Sequence, residues 1–173
     1  MAELVEQRQW WKFALVTVPA IVLLGSASGW LSNSGYGNSW FDALTKPFFM
    51  PPGWVFGVAW TLLYTLLGLA LALILAAPPS PRKRNALILF FAQLALNYAW
   101  SPIFFAGHDI VLAKMVIFLM AAIAAAAAGQ FWRIRPLAGA LMLPYLGWLI
   151  FAATLTAAIQ NLNPEAGRSL LGF

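Results

Sequence analysis

Five apolar stretches dominate this chain, at 13–31, 52–76, 85–106, 111–132 and 137–162. A helix of about twenty such residues crosses the ~30 Å hydrocarbon core of a bilayer. A spanning segment must also satisfy its own backbone polar groups, which a helix does and an open sheet does not. Of the 173 residues, 62% are hydrophobic and 9% are charged, against roughly 45–50% and about 25% in a soluble domain. Lipid therefore has to take up apolar surface that a core of this size cannot. The chain reads as an all-α integral membrane protein, a single domain over 1–173 built as a bundle of five transmembrane helices.

Each stretch is apolar on most sides, so boundaries come from turns, prolines and charges rather than from periodicity. Trp10 and Trp11 beside Lys12 have the look of interfacial aromatics at the start of the first span. Pro19 predicts a kink within that span. A rival reading takes Arg8 and Lys12, the apolar run after them and the small residues at 25–29 as a signal peptide with its cleavage site. Pro78–Arg84 reads as a short basic turn, Gly107-His108-Asp109 as a tight turn, and Arg133–Pro136 as the next turn. Five spans then place Arg8, Lys12, Arg82, Lys83, Arg84, Arg133 and Arg135 on one side, and Lys46, Lys114 and Arg168 on the other. That seven-to-three bias puts the N-terminus in the cytoplasm and the first loop outside. The same interleaving gives the net charge of +5 a topological reading and removes nucleic acid as a partner. The chain has no Cys, which excludes disulfides and thiolate metal sites.

The loop at 32–50 is long for so compact a chain, which points to function. It starts polar and flexible, then carries Trp40, Phe41, Phe48 and Phe49, so it reads as a lid. Pro51-Pro52 joins it to the second span, where a missing N–H is tolerated in the first helical turn. Three helical faces then present rings and a few polar groups: Phe56, Trp60 and Tyr64; Gln93, Asn97, Trp100 and Phe104; and Tyr145, Trp148, Ala152 and Leu155. Polar groups inside a membrane face protein or a cavity. Under the lid the three stripes would line an aromatic pocket for a large, flat, apolar ligand. The alternative is that the stripes only pack, with Gln93 and Asn97 tying helices together.

These residues resemble the TspO/MBR family. The resemblance rests on Trp40, on Lys46-Pro47-Phe48-Phe49-Met50-Pro51-Pro52, and on Trp54-Val55-Phe56 with Trp60 and Tyr64. It continues through Gln93, Asn97, Trp100-Ser101-Pro102 and Phe104-Phe105, then Pro144-Tyr145, Trp148, Phe151-Ala152 and Thr154-Leu155. It covers nearly the whole chain from Phe13 onward. It implies a bacterial member in the cell membrane, a homodimer, and a cavity under the first loop for porphyrin or haem, sterols and benzodiazepine-site compounds. By matched position, Trp60, Asn97, Trp100, Trp148, Ala152 and Leu155 would contact ligand, while Phe56, Tyr64 and Phe104 line the pocket. Trp40 would act from the lid, and Tyr145 from the fifth-span stripe. The family is also associated with light-dependent porphyrin breakdown, and Trp60 and Trp148 match the tryptophans implicated. The chain departs from the family at Phe48 and Phe49, often Trp, and at Leu155-Thr156, usually Leu-Asn. The region at 156–160 lacks the Tyr and Arg of the sterol consensus, so a sterol partner loses its main sequence support.

No catalytic constellation and no obligatory cofactor are visible. The reading is a receptor or carrier for tetrapyrroles, with a light- and oxygen-dependent porphyrin-degrading enzyme and a purely structural membrane protein as alternatives. His108 is a candidate axial haem ligand at the pocket mouth or, alternatively, an interfacial residue. None of Glu3, Glu6, Asp42, Asp109 and Glu165 lies mid-span, which argues against a proton-coupled pump. Asp42 and Lys46, four apart, read as a loop-stabilising ion pair; in the tetrapyrrole reading Lys46 is also a candidate partner for a ligand propionate. Ala95 with Ala99, or the alanine-rich 121–128, could form the dimer face.

Overall fold

The computed structural model describes residues 9–166. Arg8 and Arg168 of the charge asymmetry, with Glu3 and Glu6, lie outside the described residues. The elements are α1 (Trp10–Leu31), a short lid helix α2 (Ser39–Ala43), α3 (Gly53–Leu75), α4 (Pro81–Ser101) continued by a π turn (Pro102–Ala106), α5 (Ile110–Ile134), α6 (Pro136–Leu141) and α7 (Leu143–Leu162). Among the described residues, five segments are long and apolar enough to span a membrane: α1, α3, α4 with its π turn, α5, and α6 with α7. α1 packs on α3, α3 on α6 and α7, these on α5, α5 on α4, and α4 back on α1, so the bundle closes on itself. The lid, the 107–109 turn and Asn163 share one end. The α3–α4 turn and Arg135 form the other, basic end.

Prolines and caps set the boundaries. Ser80 accepts the Lys83 N–H at 3.1 Å, and Pro81 takes the first helical position. Arg82, Lys83 and Arg84 are thus the first turn of α4, not a basic turn ahead of it. Lys83 Nζ reaches back to the carbonyl of Leu75 at 2.8 Å and to that of Ala77, at the C-terminal end of α3. Pro102 has no N–H, so the Tyr98 carbonyl cannot close its helical bond. Ser28 Oγ of α1 donates to that carbonyl instead, at 2.6 Å, and the chain closes a wider turn from Gly107 N to Pro102 O at 2.8 Å. Pro144 similarly separates α6 from α7 at Met142. α1 starts at Trp10, earlier than expected, and runs through Pro19 to Leu31 without interruption.

The helices are in close contact through the bundle middle and the basic end. A Cβ on Gly68 would sit 2.6 Å from Val18 Cα, so the α1 and α3 backbones touch there, as small residues allow in a membrane. Thr17 Oγ1 donates to the Gly68 carbonyl at 2.8 Å across the same contact. Phe90 stacks on Phe131 at 5.3 Å, within a core that includes Leu67, Ile74, Met142 and Leu149. A second cluster, Phe41, Leu44, Phe104, Phe105, Ile110, Leu155 and Ile159, seats the lid on the helix ends.

Candidate functional site: an aromatic cavity beneath the lid

The helices part toward the lid end and enclose a cavity of about 580 Å³, within the roughly 300–1,000 Å³ usual for small-molecule sites. Phe56, Trp60 and Tyr64 line it from α3, and Asn97, Trp100 and Phe104 from α4 and its π turn. Trp148, Ala152 and Leu155 line it from α7. The rings form one connected wall. Trp148 meets Trp60 edge-on at 6.2 Å and Phe56 at 5.9 Å, and Trp60 lies tilted against Tyr64 at 5.1 Å. Trp100 stacks on Phe104 at 5.0 Å while its Nε1 donates to the Ala113 carbonyl at 3.1 Å, which ties the ring to α5.

The polar stripe residues join in a chain. Tyr64 Oη donates to Asn97 Oδ1 at 2.7 Å, Asn97 Nδ2 donates to Tyr145 Oη at 3.1 Å, and Tyr145 Oη donates to Gln93 Oε1 at 2.8 Å. The chain leads from the cavity into the core. Tyr64 and Asn97 reach the cavity wall, whereas Tyr145 and Gln93 are fully buried behind it. Tyr145 is thus placed in the packed core and not on the wall, because its hydroxyl finds both amides there. Gln93 Nε2 meets no acceptor among the described residues.

The lid is fixed at several points. Asn38 Oδ1 caps α2 by accepting the Phe41 N–H at 3.1 Å, and its Nδ2 donates to the Phe105 carbonyl at 3.2 Å. Thr45 exchanges two hydrogen bonds of 2.8 Å with the Asn163 side chain. Trp40 lies above the cavity lining rather than in it: its Nε1 donates to the Ala166 carbonyl at 3.3 Å and its ring stacks on His108 at 4.4 Å. His108 thereby packs on the lid and is not among the residues that line the cavity. Among the described residues no group of three or more His, Cys, Asp and Glu could hold a metal.

The expected Asp42–Lys46 pair is replaced by two backbone caps. Asp42 Oδ2 accepts the Gly37 N–H at 3.0 Å. Lys46 Nζ donates to the carbonyls of Phe41, Asp42 and Leu44 at 2.7, 3.2 and 3.2 Å, around the C-terminal end of α2. Those carbonyls are the unsatisfied end of a short helix and attract a cation. Lys46 is outside the cavity lining, so its ammonium is committed to the lid.

Several wall residues carry no signal in the sequence. Ile117 and Met120 enter from α5, and Gly25, Ser26 and Gly29 from α1. The small residues at 25–29, readable as a cleavage site, lie within α1, where a Cβ on Gly25 would sit 2.1 Å from the Tyr64 ring. Thr156, one of the departures noted above, is buried at the wall.

The family model described as TspO/MBR family matches residues 16–162. The tryptophan-rich protein TspO of Archaeoglobus fulgidus is 36% identical over 149 residues, covering 86% of this chain and 95% of the relative. The tryptophan-rich sensory protein of Cereibacter sphaeroides is 38% identical over 132 residues, 75% of this chain and 82% of the relative. The human translocator protein is 36% identical over 140 residues, 79% and 83% of the two chains. With the match running from the first span to the end of the last, this chain is an integral membrane protein of the TspO/MBR family.

Proposed function

We propose that the cavity binds a tetrapyrrole, porphyrin or haem, and that the protein is a membrane receptor or carrier for it. The carrying observation is the continuous ring wall of Phe56, Trp60 and Trp148, facing Trp100 and Phe104 across about 580 Å³. A large flat ligand gains most from such faces and edges. With His108 stacked on Trp40 and Lys46 committed to carbonyls, affinity rests on ring contact and not on iron ligation or a carboxylate pair. Titrating the protein in lipid with protoporphyrin IX should give saturable one-to-one quenching of its tryptophans. Replacing Trp60 and Trp148 together by Ala should weaken it at least about tenfold, the two rings being worth roughly 1 kcal/mol each beyond area. Unchanged quenching in that variant would refute the site.

A second reading, photo-oxidative porphyrin breakdown, is favoured by the contact of Trp60 with Trp148 at the same wall. Illumination with protoporphyrin and oxygen tests it: bleaching no faster than for free porphyrin in the same lipid excludes it. A sterol is a flat apolar ligand of the same general kind, although the region at 156–160 lacks the consensus. The proposed orientation puts Lys12, Arg82, Lys83, Arg84, Arg133 and Arg135, at the end away from the lid, in the cytoplasm. Single cysteines added to this Cys-free chain and labelled from either side would read it directly. For a homodimer both small-residue faces are available: Ala95 is exposed on α4 with Ala99 half-buried, and Ala122, Ala125 and Ala126 are exposed on α5 while Ala124 and Ala127 are buried inside the bundle.

A further inference from the structure

The cavity needs an entrance, and the lid is a poor one. Asn38, Thr45 and Trp40 are each hydrogen-bonded to the helix ends, and Phe41 and Leu44 are buried against them. The seam between α1 and α3 is different in its two halves. Toward the basic end, the backbones touch at Gly68 and Val18, and the Tyr64 ring fills the place of a side chain at Gly25. Toward the lid, a Cβ on Gly57 would meet nothing within 4 Å, and one on Gly29 would meet only the Ser34 side chain, at 3.8 Å or beyond. Ser26 and Trp30 of α1 and Gly53, Gly57 and Thr61 of α3 are exposed yet also line the cavity, as do Asn33, Ser34 and Tyr36 of the loop that bridges the two helices at the lid end. A residue that is both outer surface and inner wall marks an opening. Its upper edge is Tyr36, whose hydroxyl donates to the Pro51 carbonyl at 3.3 Å and whose ring lies over Gly53. Its lower edge is the contact of Gly25 with Tyr64.

We infer that this slot between α1 and α3 is a lateral portal, through which a flat apolar ligand dissolved in the bilayer enters and leaves the cavity while the lid stays shut. The inference rests on the ligand reading above. It explains why the seam carries small residues at 25, 26, 29, 53 and 57: a disc-shaped molecule passes edge-on where side chains are absent. It also fits the position of the slot within two membrane-spanning helices, where the outside medium is lipid.

The test uses the full chain in phosphatidylcholine nanodiscs and follows tryptophan quenching by protoporphyrin IX after rapid mixing. Gly57→Leu narrows the slot from inside α3, and Thr61→Phe does so one turn later. Because a portal lies on the path and not only at the end point, both variants should slow association and dissociation together by about tenfold, whereas a loss of wall contact alone would speed dissociation and leave association unchanged. Asn163→Ala, which frees the lid from Thr45, should leave both rates within about twofold. Association at wild-type speed in both slot variants would overturn the portal, as would acceleration on freeing the lid. Folding is read in the same experiment, since a one-to-one end point with altered rates requires an intact cavity. Absence of saturable quenching in the wild-type protein would instead refute the ligand reading, and the portal with it.

Discussion

The two halves of the α1–α3 seam use the same residue for opposite ends. At Gly68 the missing side chain lets two backbones meet, with Val18 Cα 2.6 Å from where a Cβ would lie. At Gly57 it leaves open space beside a wall of rings. Glycine in a membrane helix therefore does not by itself signal close packing; what faces it decides. The half toward the basic end is held by contact and buried hydrogen bonds. The half toward the lid keeps its helices apart and closes over the gap with a tethered loop.

Substitutions that treat the two halves alike should separate them. Gly68→Leu forces α1 off α3 and should cost about 3 kcal/mol or more, or prevent folding, whereas Gly57→Leu should change stability by less than about 0.5 kcal/mol. Thermal unfolding in detergent measures both, and equal losses would break the comparison. Next in size, Tyr145→Phe strips the Gln93 and Asn97 amides of their shared hydroxyl and should cost about 1.5 kcal/mol. It should also alter ligand affinity less than Trp148→Ala does, since Tyr145 lies behind the wall. Asn163→Ala removes both bonds to Thr45 and should cost about 1 kcal/mol. Its signature is faster amide exchange confined to the lid around 38–46, and exchange spreading into α3 would show that the lid holds the bundle as well. The smallest effect is expected from His108→Ala: haem and metal-free protoporphyrin should each bind within about twofold of wild type, a difference under roughly 0.5 kcal/mol. A large loss for haem alone would bring His108 back as an iron ligand.

Much of this arrangement was legible beforehand, for reasons that differ by residue. Span positions follow from the length of apolar run a bilayer requires, and the errors sit where a cap outweighs charge, as Ser80 and Pro81 do ahead of Arg82–84. The three ring stripes stand out because aromatics and amides are unusual marks on otherwise aliphatic helices. Ile117, Met120, Gly25 and Gly29 carry no such mark, since an aliphatic or small residue on an all-apolar helix reads the same whether it faces lipid, protein or cavity. Tyr145 shows the converse. Its spacing places it with Trp148, but spacing does not say how deep a side chain lies, and two buried amides draw it into the core. Lys46 follows the same logic at the lid, where helix-end carbonyls outcompete a solvated carboxylate four residues away.

The most direct measurement is anomalous diffraction from crystals grown with zinc protoporphyrin, which locates the ligand without relying on any substitution. The expected result is a single zinc peak inside the cavity, between the Phe56–Trp60–Trp148 wall and Trp100. A peak only on the outer, lipid-facing surface, with the cavity filled by lipid or empty, would contradict it.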